Sequence, residues 1–324
     1  MTKFEKSSTV LFLILLLLSF VAAVFLILGE NFQSLIEKKS KKQKILNITE
    51  HLSQPGVAVV TVYGPITITG VQSGFSATGG SDFIIKRLDK IKNDKKIKAL
   101  VLRINSPGGT IASVQEIYAK LLQLKKRKIK IVVSMGDIAA SGGYYIACAA
   151  DKIVANPGTL TGSIGVIMES LDYSELFKKW GLHQNVIKSG KYKDIMSGHR
   201  KMTESERKLL QNVINDSYEQ FLDIVALNRK IPKQKLRSIA DGRIFDGRLA
   251  KKSGLIDELG TYENAIDLAK KIAKLPKNAP VYRNELTPFD SFLEQFNAFF
   301  NKKSKLSLPV NTLPFSYLFD SKVW

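Results

Sequence analysis

Histidine and cysteine are scarce in this chain, which holds three histidines and one cysteine among 324 residues. The single cysteine, Cys148, cannot form an internal disulfide, and its apolar surroundings predict a small core residue. The histidines, His51, His183 and His199, stand in no recognisable relation to the strongest candidate for a nucleophilic serine. A Ser/His/Asp relay is therefore a poor expectation, and a nucleophilic serine here needs another base.

Acidic residues are few relative to basic ones: 29 Asp and Glu stand against 49 Lys and Arg, which gives a formal net charge of +20. Such a surplus commonly indicates nucleic acid or an anionic surface as partner. The basic residues occur as scattered short lysine runs, without interleaved aromatic residues and without a zinc or helix-turn-helix motif. The pattern favours a solvated, membrane-proximal surface, and we expect no nucleic-acid partner.

One long apolar run is present near the amino terminus. Residues 9–28 carry no charge and are long enough to cross the hydrocarbon layer of a bilayer. The run is longer than the apolar core of a signal peptide and ends without a small-residue cleavage site, so we predict an uncleaved transmembrane helix in contact with membrane lipid. A short tail, residues 1–8, precedes it, and residues 29–54 form a predicted charged stalk.

The lysines around this run leave its orientation open. Lys3 and Lys6 precede the run, whereas five lysines lie within residues 38–44, which by the positive-inside rule would keep the large domain in the cytoplasm. Those five lysines begin about ten residues past the run, and long domains can be translocated despite nearby charge. Charge alone therefore does not settle the side of the membrane.

From residue 55 onward, apolar β-branched runs alternate with amphipathic stretches. Strands are predicted at 57–63, 99–104, 129–134, 153–155, 161–168 and 184–188, and helices at 81–92, 110–124, 173–180 and 262–274, with further helices beginning at Ser141 and after a capping box at 203–206. This alternation predicts an α/β fold whose parallel sheet is covered on both faces. We place one domain at 55–275 and a Phe-rich segment with an apolar tail at 276–324.

Ser141 lies where a strand-like run gives way to a helix, and Gly142 and Gly143 follow it directly. At such a turn a hydroxyl is held clear of both elements, and the N–H groups that open the helix point toward whatever it attacks. A serine that opens a helix is more commonly an N-cap, so this residue alone leaves both hypotheses open. A second Gly-rich turn, residues 105–109, follows the preceding strand. In a parallel sheet the two turns lie at one edge and can supply N–H donors to one oxyanion.

A base for this serine is sought among the lysines of residues 188–197. A lysine can replace histidine only when it is uncharged, which requires burial in an apolar pocket to lower its pKa by several units. Lys191 and Lys193 are two residues apart and would face the same side of an extended segment, so chemistry does not distinguish them. Asp194 is expected to be a surface or turn-forming carboxylate, because a carboxylate close to the base would keep it protonated.

Five motifs occur in the order in which the signal peptide peptidase A family has them, and the chain resembles that family over residues 57–275. They are Arg-Ile-Asn-Ser-Pro-Gly-Gly at 103–109, Asp-Ile-Ala-Ala-Ser-Gly-Gly-Tyr-Tyr at 137–145, Leu-Thr-Gly-Ser-Ile-Gly-Val at 160–166, Lys-Tyr-Lys-Asp-Ile-Met-Ser at 191–197 and Ala-Asp-Gly-Arg-Ile-Phe-Asp-Gly-Arg at 240–248. The resemblance implies a Clp-protease-like or crotonase-like fold, a Ser/Lys catalytic dyad and an N-terminal membrane anchor. It also implies a homo-oligomeric ring with the active sites inside, and a catalytic domain outside the cytoplasm.

The resemblance also implies a role for individual residues. Ser141 matches the family's nucleophile and Lys193 its general base, while Gly108 and Gly142 match the positions whose N–H groups form the oxyanion hole. Ser163 matches a hydroxyl that orients the lysine, although a serine in a Gly-rich strand can also be a small packing residue. A mechanism of this kind needs no metal or nucleotide cofactor.

The expected protein is a single-pass enzyme of the cytoplasmic (inner) membrane with its catalytic domain on the extracytoplasmic side. The expected activity is that of a serine endopeptidase that degrades apolar peptides, above all signal-peptide remnants. One alternative is a crotonase-like acyl-CoA enzyme, in which paired N–H groups would stabilise a thioester enolate. The other is a catalytically silent membrane scaffold, which would tolerate Ser141→Ala without loss of function.

Overall fold

The computed structural model describes residues 54–69, 72–73, 76–77 and 80–283. The predicted transmembrane helix at 9–28, the stalk up to residue 53 and the segment from residue 284 lie outside these residues, so the predictions for them stay predictions. Among the described helices, none combines the length and the apolar character needed to cross a membrane.

Strands and helices alternate along most of the described chain. In order they are β1 (Gly56–Tyr63), β2 (Gln72–Ser73), β3 (Ser76–Ala77), α1 (Ser81–Asn93), β4 (Ile97–Ser106), α2 (Ile111–Lys126), β5 (Lys130–Ala140), α3 (Gly142–Ala147), β6 (Lys152–Ala155), β7 (Leu160–Gly162), α4 (Ser174–Lys179), α5 (Glu204–Arg229), α6 (Lys233–Arg237), β8 (Ile244–Phe245), α7 (Gly247–Lys252), β9 (Glu258–Leu259), α8 (Tyr262–Ile272) and β10 (Val281–Arg283).

The central sheet has the strand order β10-β1-β4-β5-β6-β9. Every pair of neighbours along this order is parallel. Strand β7 joins in parallel to the end of β5, and β8 pairs antiparallel with β7. Strands β2 and β3 form a separate antiparallel pair. Parallel neighbours require crossover connections, which the intervening helices supply, and the predicted α/β architecture is confirmed.

Both faces of the sheet are covered, and successive residues of its central strands pack into two apolar clusters. On one face, Ala58 and Val60 of β1 belong to a cluster that includes residues of α1, α2, α3 and α5. On the other face, Val57 and Val59 pack against α8, which meets the sheet through small residues such as Ala265. Because alternate residues of a strand point to opposite faces, a sheet covered twice needs strands that are apolar nearly throughout.

Cys148 follows α3 directly and lies in the first of these clusters with only 1% of its surface exposed. The prediction of a small core residue is therefore confirmed. Tyr144 is fully buried nearby, and its hydroxyl donates a hydrogen bond of 2.8 Å to Leu255 O. This bond satisfies a polar group that would otherwise be costly to bury.

Two strand predictions are wrong. The strand predicted at 161–168 ends at Gly162, because Gly162 and Ser163 both take left-handed backbone angles, with φ values of +81° and +48°. Residues 184–188 are irregular and exposed. A β-branched run forms a strand only where a neighbouring strand satisfies its backbone groups, and the described part of the chain offers this segment none.

Candidate active site

Strand β5 leads directly to Ser141, and before reaching it the strand departs from the regular ladder with β4. The two strands keep their register up to Ile104 and lose it before Ser106. Asn105 stands at this shift, and its Oδ1 accepts a hydrogen bond of 3.0 Å from Ile138 N. The side-chain amide thereby replaces a missing ladder bond and fixes the direction in which β5 leaves the sheet.

Strand β7 supports the end of β5 from the other side. Thr161, which is fully buried, donates from its hydroxyl to Ala139 O at 2.7 Å. Ser141 N donates to Gly162 O at 2.9 Å. The end of β5, which carries Ser141, is therefore held by Asn105 on one side and by β7 on the other.

Ser141 has a strained backbone conformation, with φ +51° and ψ −120°. For a residue other than glycine such angles cost about 1–3 kcal/mol, and they recur at the sharp strand-to-helix turns that present nucleophilic serines. Ser141 is the N-cap residue of α3, as one hypothesis expected, but its hydroxyl makes no capping hydrogen bond to the helix. The residue is half-buried, which leaves it within reach of a substrate.

Gly108 and Gly142 bring the two Gly-rich turns into contact beside Ser141. Gly108 has φ +107°, and a Cβ added to it would lie 2.7 Å from Gly142 N and 3.0 Å from Ser141 Cβ. A Cβ added to Gly142 would lie 2.5 Å from Val114 Cγ2 and 3.2 Å from Gly109 N. The approach of the two turns therefore depends on the absence of side chains at both positions.

The loop after β1 holds the first of these turns in place. Ile66 N donates to Gly108 O at 2.8 Å, and Thr110 N donates to Ile66 O at 2.9 Å. Gly109 lies so close to Ile66 that a Cβ on it would overlap the Ile66 carbonyl oxygen. The N–H groups of this turn are therefore fixed in direction before a substrate arrives, as an oxyanion site requires.

The two predicted oxyanion donors differ in their hydrogen bonds. Gly142 N opens α3, where the first N–H groups of a helix have no partner within it. Gly108 N donates to the hydroxyl of Ser106 at 3.1 Å, and Ser106 is fully buried. An oxyanion would thus share the Gly108 donor with Ser106. Sequence reasoning missed Ser106, although its place two residues before Gly108 was a usable signal.

Ser163 follows β7 and lies close to the turn that carries Ser141. Its N–H donates to Arg243 O at 2.9 Å, and the carbonyl of the preceding Gly162 accepts the bond from Ser141 N. The residue is half-buried. Its place beside the turn suits a positioning hydroxyl, and its role toward the lysine stays a prediction.

Lys193 lies on a turn at 191–196, at the end of a segment that is exposed almost continuously from residue 167. Lys193 N donates to Gly190 O at 3.1 Å and helps to form this turn. Lys191 and Lys193 are both exposed in the single chain, so their exposure does not indicate which of them is the base for Ser141. The apolar burial that the sequence argument requires for the base is not provided by the described part of one chain.

Asp194, next to Lys193, is part of the same turn but is not a surface carboxylate, since its side chain is only 10% exposed. Arg200 donates to both of its oxygens, from Nη2 at 2.7 Å and from Nε at 3.0 Å. Lys188 Nζ donates to Oδ1 at 2.6 Å. These contacts, with Arg200 first, hold the pKa of the Asp194 carboxyl well below its usual range.

Comparison with known protein families identifies two overlapping regions of the chain. The model of peptidase family S49 matches residues 123–276, which include Ser141 and the segment around Lys193. The Clp protease model matches residues 76–159, which include both Gly-rich turns. The second match agrees with the parallel α/β sheet described above.

Several curated relatives are similar over most of the chain. A putative protease of Synechocystis is 47% identical over 203 residues, which cover 63% of this chain and 73% of the relative. The putative signal peptide peptidase SppA of Enterococcus faecium is 39% identical over 246 residues, which cover 75% of this chain and 72% of the relative. The chloroplastic serine protease SPPA of Arabidopsis thaliana is 34% identical over 235 residues, covering 71% of this chain and 34% of the relative. The chain therefore belongs to the signal peptide peptidase A family, peptidase family S49, and is a protease.

Proposed function

We propose that this protease is a serine endopeptidase in which Ser141 is the nucleophile and Lys193 the general base. The observation that carries the proposal is the backbone of Ser141, whose φ of +51° presents the hydroxyl at a strand-to-helix turn without using it as a helix cap. The contact of that turn with Gly108 supplies fixed N–H groups within the same site.

In the proposed mechanism Lys193 carries the proton between Ser141 and the leaving group. The neutral amine of Lys193 accepts the hydroxyl proton of Ser141 as Oγ attacks the peptide carbonyl, and the oxyanion that forms is stabilised by the N–H groups of Gly142 and Gly108. The lysine then gives its proton to the leaving amine as the C–N bond breaks. The same lysine then takes a proton from a water molecule that attacks the acyl ester, and as the ester C–O bond breaks its ammonium returns that proton to Ser141 Oγ, which restores both groups.

This mechanism requires that Lys193 be shielded from water, and a second copy of the chain is the proposed source of that shielding. The exposed segment at 167–193 carries large apolar side chains, of which Ile167 is 80% exposed, Leu171 76% and Trp180 69%. Clustered apolar exposure of this kind marks a protein interface. We therefore propose a homo-oligomeric ring in which neighbouring copies cover this segment.

The assembly proposal predicts that Leu171→Asp weakens oligomerisation of the full chain. A carboxylate at an apolar interface costs several kcal/mol unless it is paired, so the population should shift toward smaller species. Leu227→Asp on α5 is the matched control, because Leu227 is 73% exposed but lies outside the segment. Mass photometry of the detergent-solubilised variants measures the change. A wild-type chain that is monomeric at micromolar concentration contradicts the proposal.

The proposed substrates are apolar peptides, with signal-peptide remnants as the natural class. The support for this choice is the name of the Enterococcus relative, a putative signal peptide peptidase, together with the apolar run at 9–28. We propose that this run anchors the enzyme in the cytoplasmic membrane and that the catalytic domain acts on the extracytoplasmic side.

Covalent labelling with a fluorophosphonate tests the nucleophile and the base together. Wild type should be labelled at Ser141, and Lys193→Met should react about 10²–10⁴-fold more slowly, the usual contribution of a general base. Lys191→Met is the matched control, because Lys191 is exposed on the same turn and is expected to leave labelling unchanged. Equal labelling of Lys193→Met and wild type would remove Lys193 as the base, and an unlabelled wild type would favour a silent scaffold.

A further inference from the structure

Arg200 lies between two carboxylates and binds each of them through two hydrogen bonds. Besides its two bonds to Asp194, its Nη2 donates to Glu206 Oε1 at 2.6 Å and its Nη1 donates to Glu206 Oε2 at 2.9 Å. The Glu206 side chain is 3% exposed and that of Arg200 29% exposed. Planar, bidentate pairs of this kind fix both distance and orientation, which a lysine at the same place would not do.

Glu206 connects this bridge to the body of the domain. It is the third residue of α5 and completes the capping box, since Thr203 N donates to Glu206 Oε2 at 2.8 Å and Glu206 N donates to Thr203 Oγ1 at 3.3 Å. Farther along α5, Phe221 and Val225 are buried in the main apolar cluster. The turn that carries Lys193 is thus tied, through Asp194, Arg200 and Glu206, to a helix that the core holds in place.

Positive and negative charges are equal in number around the bridge formed by Arg200. Lys188 and Arg200 contribute two positive charges in contact with the carboxylates, and Asp194 and Glu206 contribute two negative ones. His199 Nε2 lies 4.0 Å from Asp194 Oδ2, and on the neighbouring helix α4 Glu175 pairs with Lys201 at 3.5 Å. Asp194 therefore presents a carboxylate whose charge is already matched by adjacent cations.

We propose that Arg200 is a positioning residue for the catalytic base: it orients the turn that carries Lys193 and neutralises the Asp194 carboxylate beside it. This inference rests on the proposed function of Lys193. Lys193 and Asp194 are consecutive residues, whose Cα atoms lie about 3.8 Å apart, so their side chains leave the backbone at neighbouring points. An unmatched carboxylate within about 4–6 Å of an amine favours its protonated, inactive form. Arg200 removes that influence while keeping the carboxylate as an anchor.

The bridge stays intact over the pH range in which the protease would be assayed. Contacts with Arg200 first, and then with the backbone of Thr203, lower the pKa of the Glu206 carboxyl to about 2. The pKa of Asp194 is also held well below its ordinary value. Both groups are therefore ionised from pH 5 upward, and the ascending limb of a pH–rate profile above that pH reports another group, which we assign to the base.

Arg200→Gln tests the proposal by removing the matching charge and leaving a neutral side chain that still forms hydrogen bonds. The ascending limb of the kcat/KM profile, measured on a fluorogenic apolar peptide from pH 5 to 10, should move upward by about one pH unit, at the lower end of the effect of one opposite charge. At pH 7 the rate should fall about tenfold. Adding Asp194→Asn to Arg200→Gln removes the released carboxylate and should return the limb to its wild-type position.

Asp194→Asn alone supplies a second test if Arg200→Gln does not fold. Removing the Asp194 carboxylate leaves the cations of Arg200 and Lys188 in excess beside the base, so the limb should move downward, opposite to the shift expected for Arg200→Gln. An unmoved limb would mean that this carboxylate does not act on the base, and it would overturn the proposal. A lower rate for Arg200→Gln with an unmoved limb would also overturn it, leaving only a structural link.

The failure of this inference can be told apart from failure of the proposed function. If Lys193→Met keeps full activity, the proposed base is wrong and the limb belongs to some other group. If Lys193→Met is inactive while the limb of Arg200→Gln stays in place, Lys193 remains the base and only the role of Arg200 is withdrawn.

Discussion

A chain carrying Ser141→Ala is expected to cleave a fluorogenic apolar peptide at least about 10³-fold more slowly than wild type and to lose fluorophosphonate labelling entirely. The reason is chemical, because alanine has no hydroxyl to attack the carbonyl. The fold should survive, since the Ser141 contacts that hold the turn come from its backbone: its N–H to Gly162 O and its carbonyl from Tyr145 N, both at 2.9 Å. Retained activity in Ser141→Ala would contradict the assignment of the nucleophile.

Ser141→Gly is the matched variant that isolates the backbone strain. Glycine adopts a φ of +51° without the steric cost that alanine meets, but it loses more entropy on folding. We expect Ser141→Gly to be more stable than Ser141→Ala by about 1 kcal/mol, with both variants inactive. The midpoints of urea denaturation measure the difference. If alanine were equally stable, the turn would not be strained in the native protein.

Gly108→Ala is expected to disable the same site from the opposite turn. Its Cβ would lie 2.7 Å from Gly142 N and 3.1 Å from Ala140 O, and φ at this position is +107°. The turn must therefore shift away from Ser141 and carry its N–H with it. We expect kcat to fall about 10²–10³-fold, as when an oxyanion donor is removed, and stability to fall by about 2–4 kcal/mol.

Gly158→Ala provides the control for that measurement, since a Cβ there has open space around it and its φ is not in the left-handed region. It should change neither the peptidase rate nor the denaturation midpoint by more than a small amount. Comparison of kcat at saturating peptide with the denaturation midpoint separates lost catalysis from lost folding. If Gly108→Ala kept wild-type kcat, Gly108 would have no part in the oxyanion site.

The strands of the sheet could be predicted because their signal is local. Runs such as 57–63 and 99–104 are apolar at nearly every position, which a strand covered on both faces requires. The true end of β5 at Ala140 was not predictable in this way, because the strand is prolonged past its apolar run by a bond from Asn105 and by pairing with β7. A long-range contact of that kind leaves no periodic trace in the sequence.

In the candidate site, too, some features could be predicted from the sequence and others could not. The convergence of the turns around Gly108 and Ser141 follows from the rule that parallel strands end at one edge, so the sequence was sufficient. The capping box of Thr203 and Glu206 was also predicted and is confirmed. The second role of Glu206, as a partner of Arg200, was missed because Arg200 belongs to an irregular segment where spacing carries no information. The exposure of Lys193 was missed because the sequence argument assumed a pocket that the described single chain does not supply.

Because Cys148 is buried, it need not be removed before a label is attached to a cysteine introduced elsewhere in the chain. Desolvation is the main cause that raises the pKa of its thiol to about 12, so below pH 9 almost no thiolate is present to react with a maleimide. No other cysteine occurs in the sequence. A single cysteine introduced on an exposed loop would therefore accept a fluorophore or spin label selectively, with the native residue left in place.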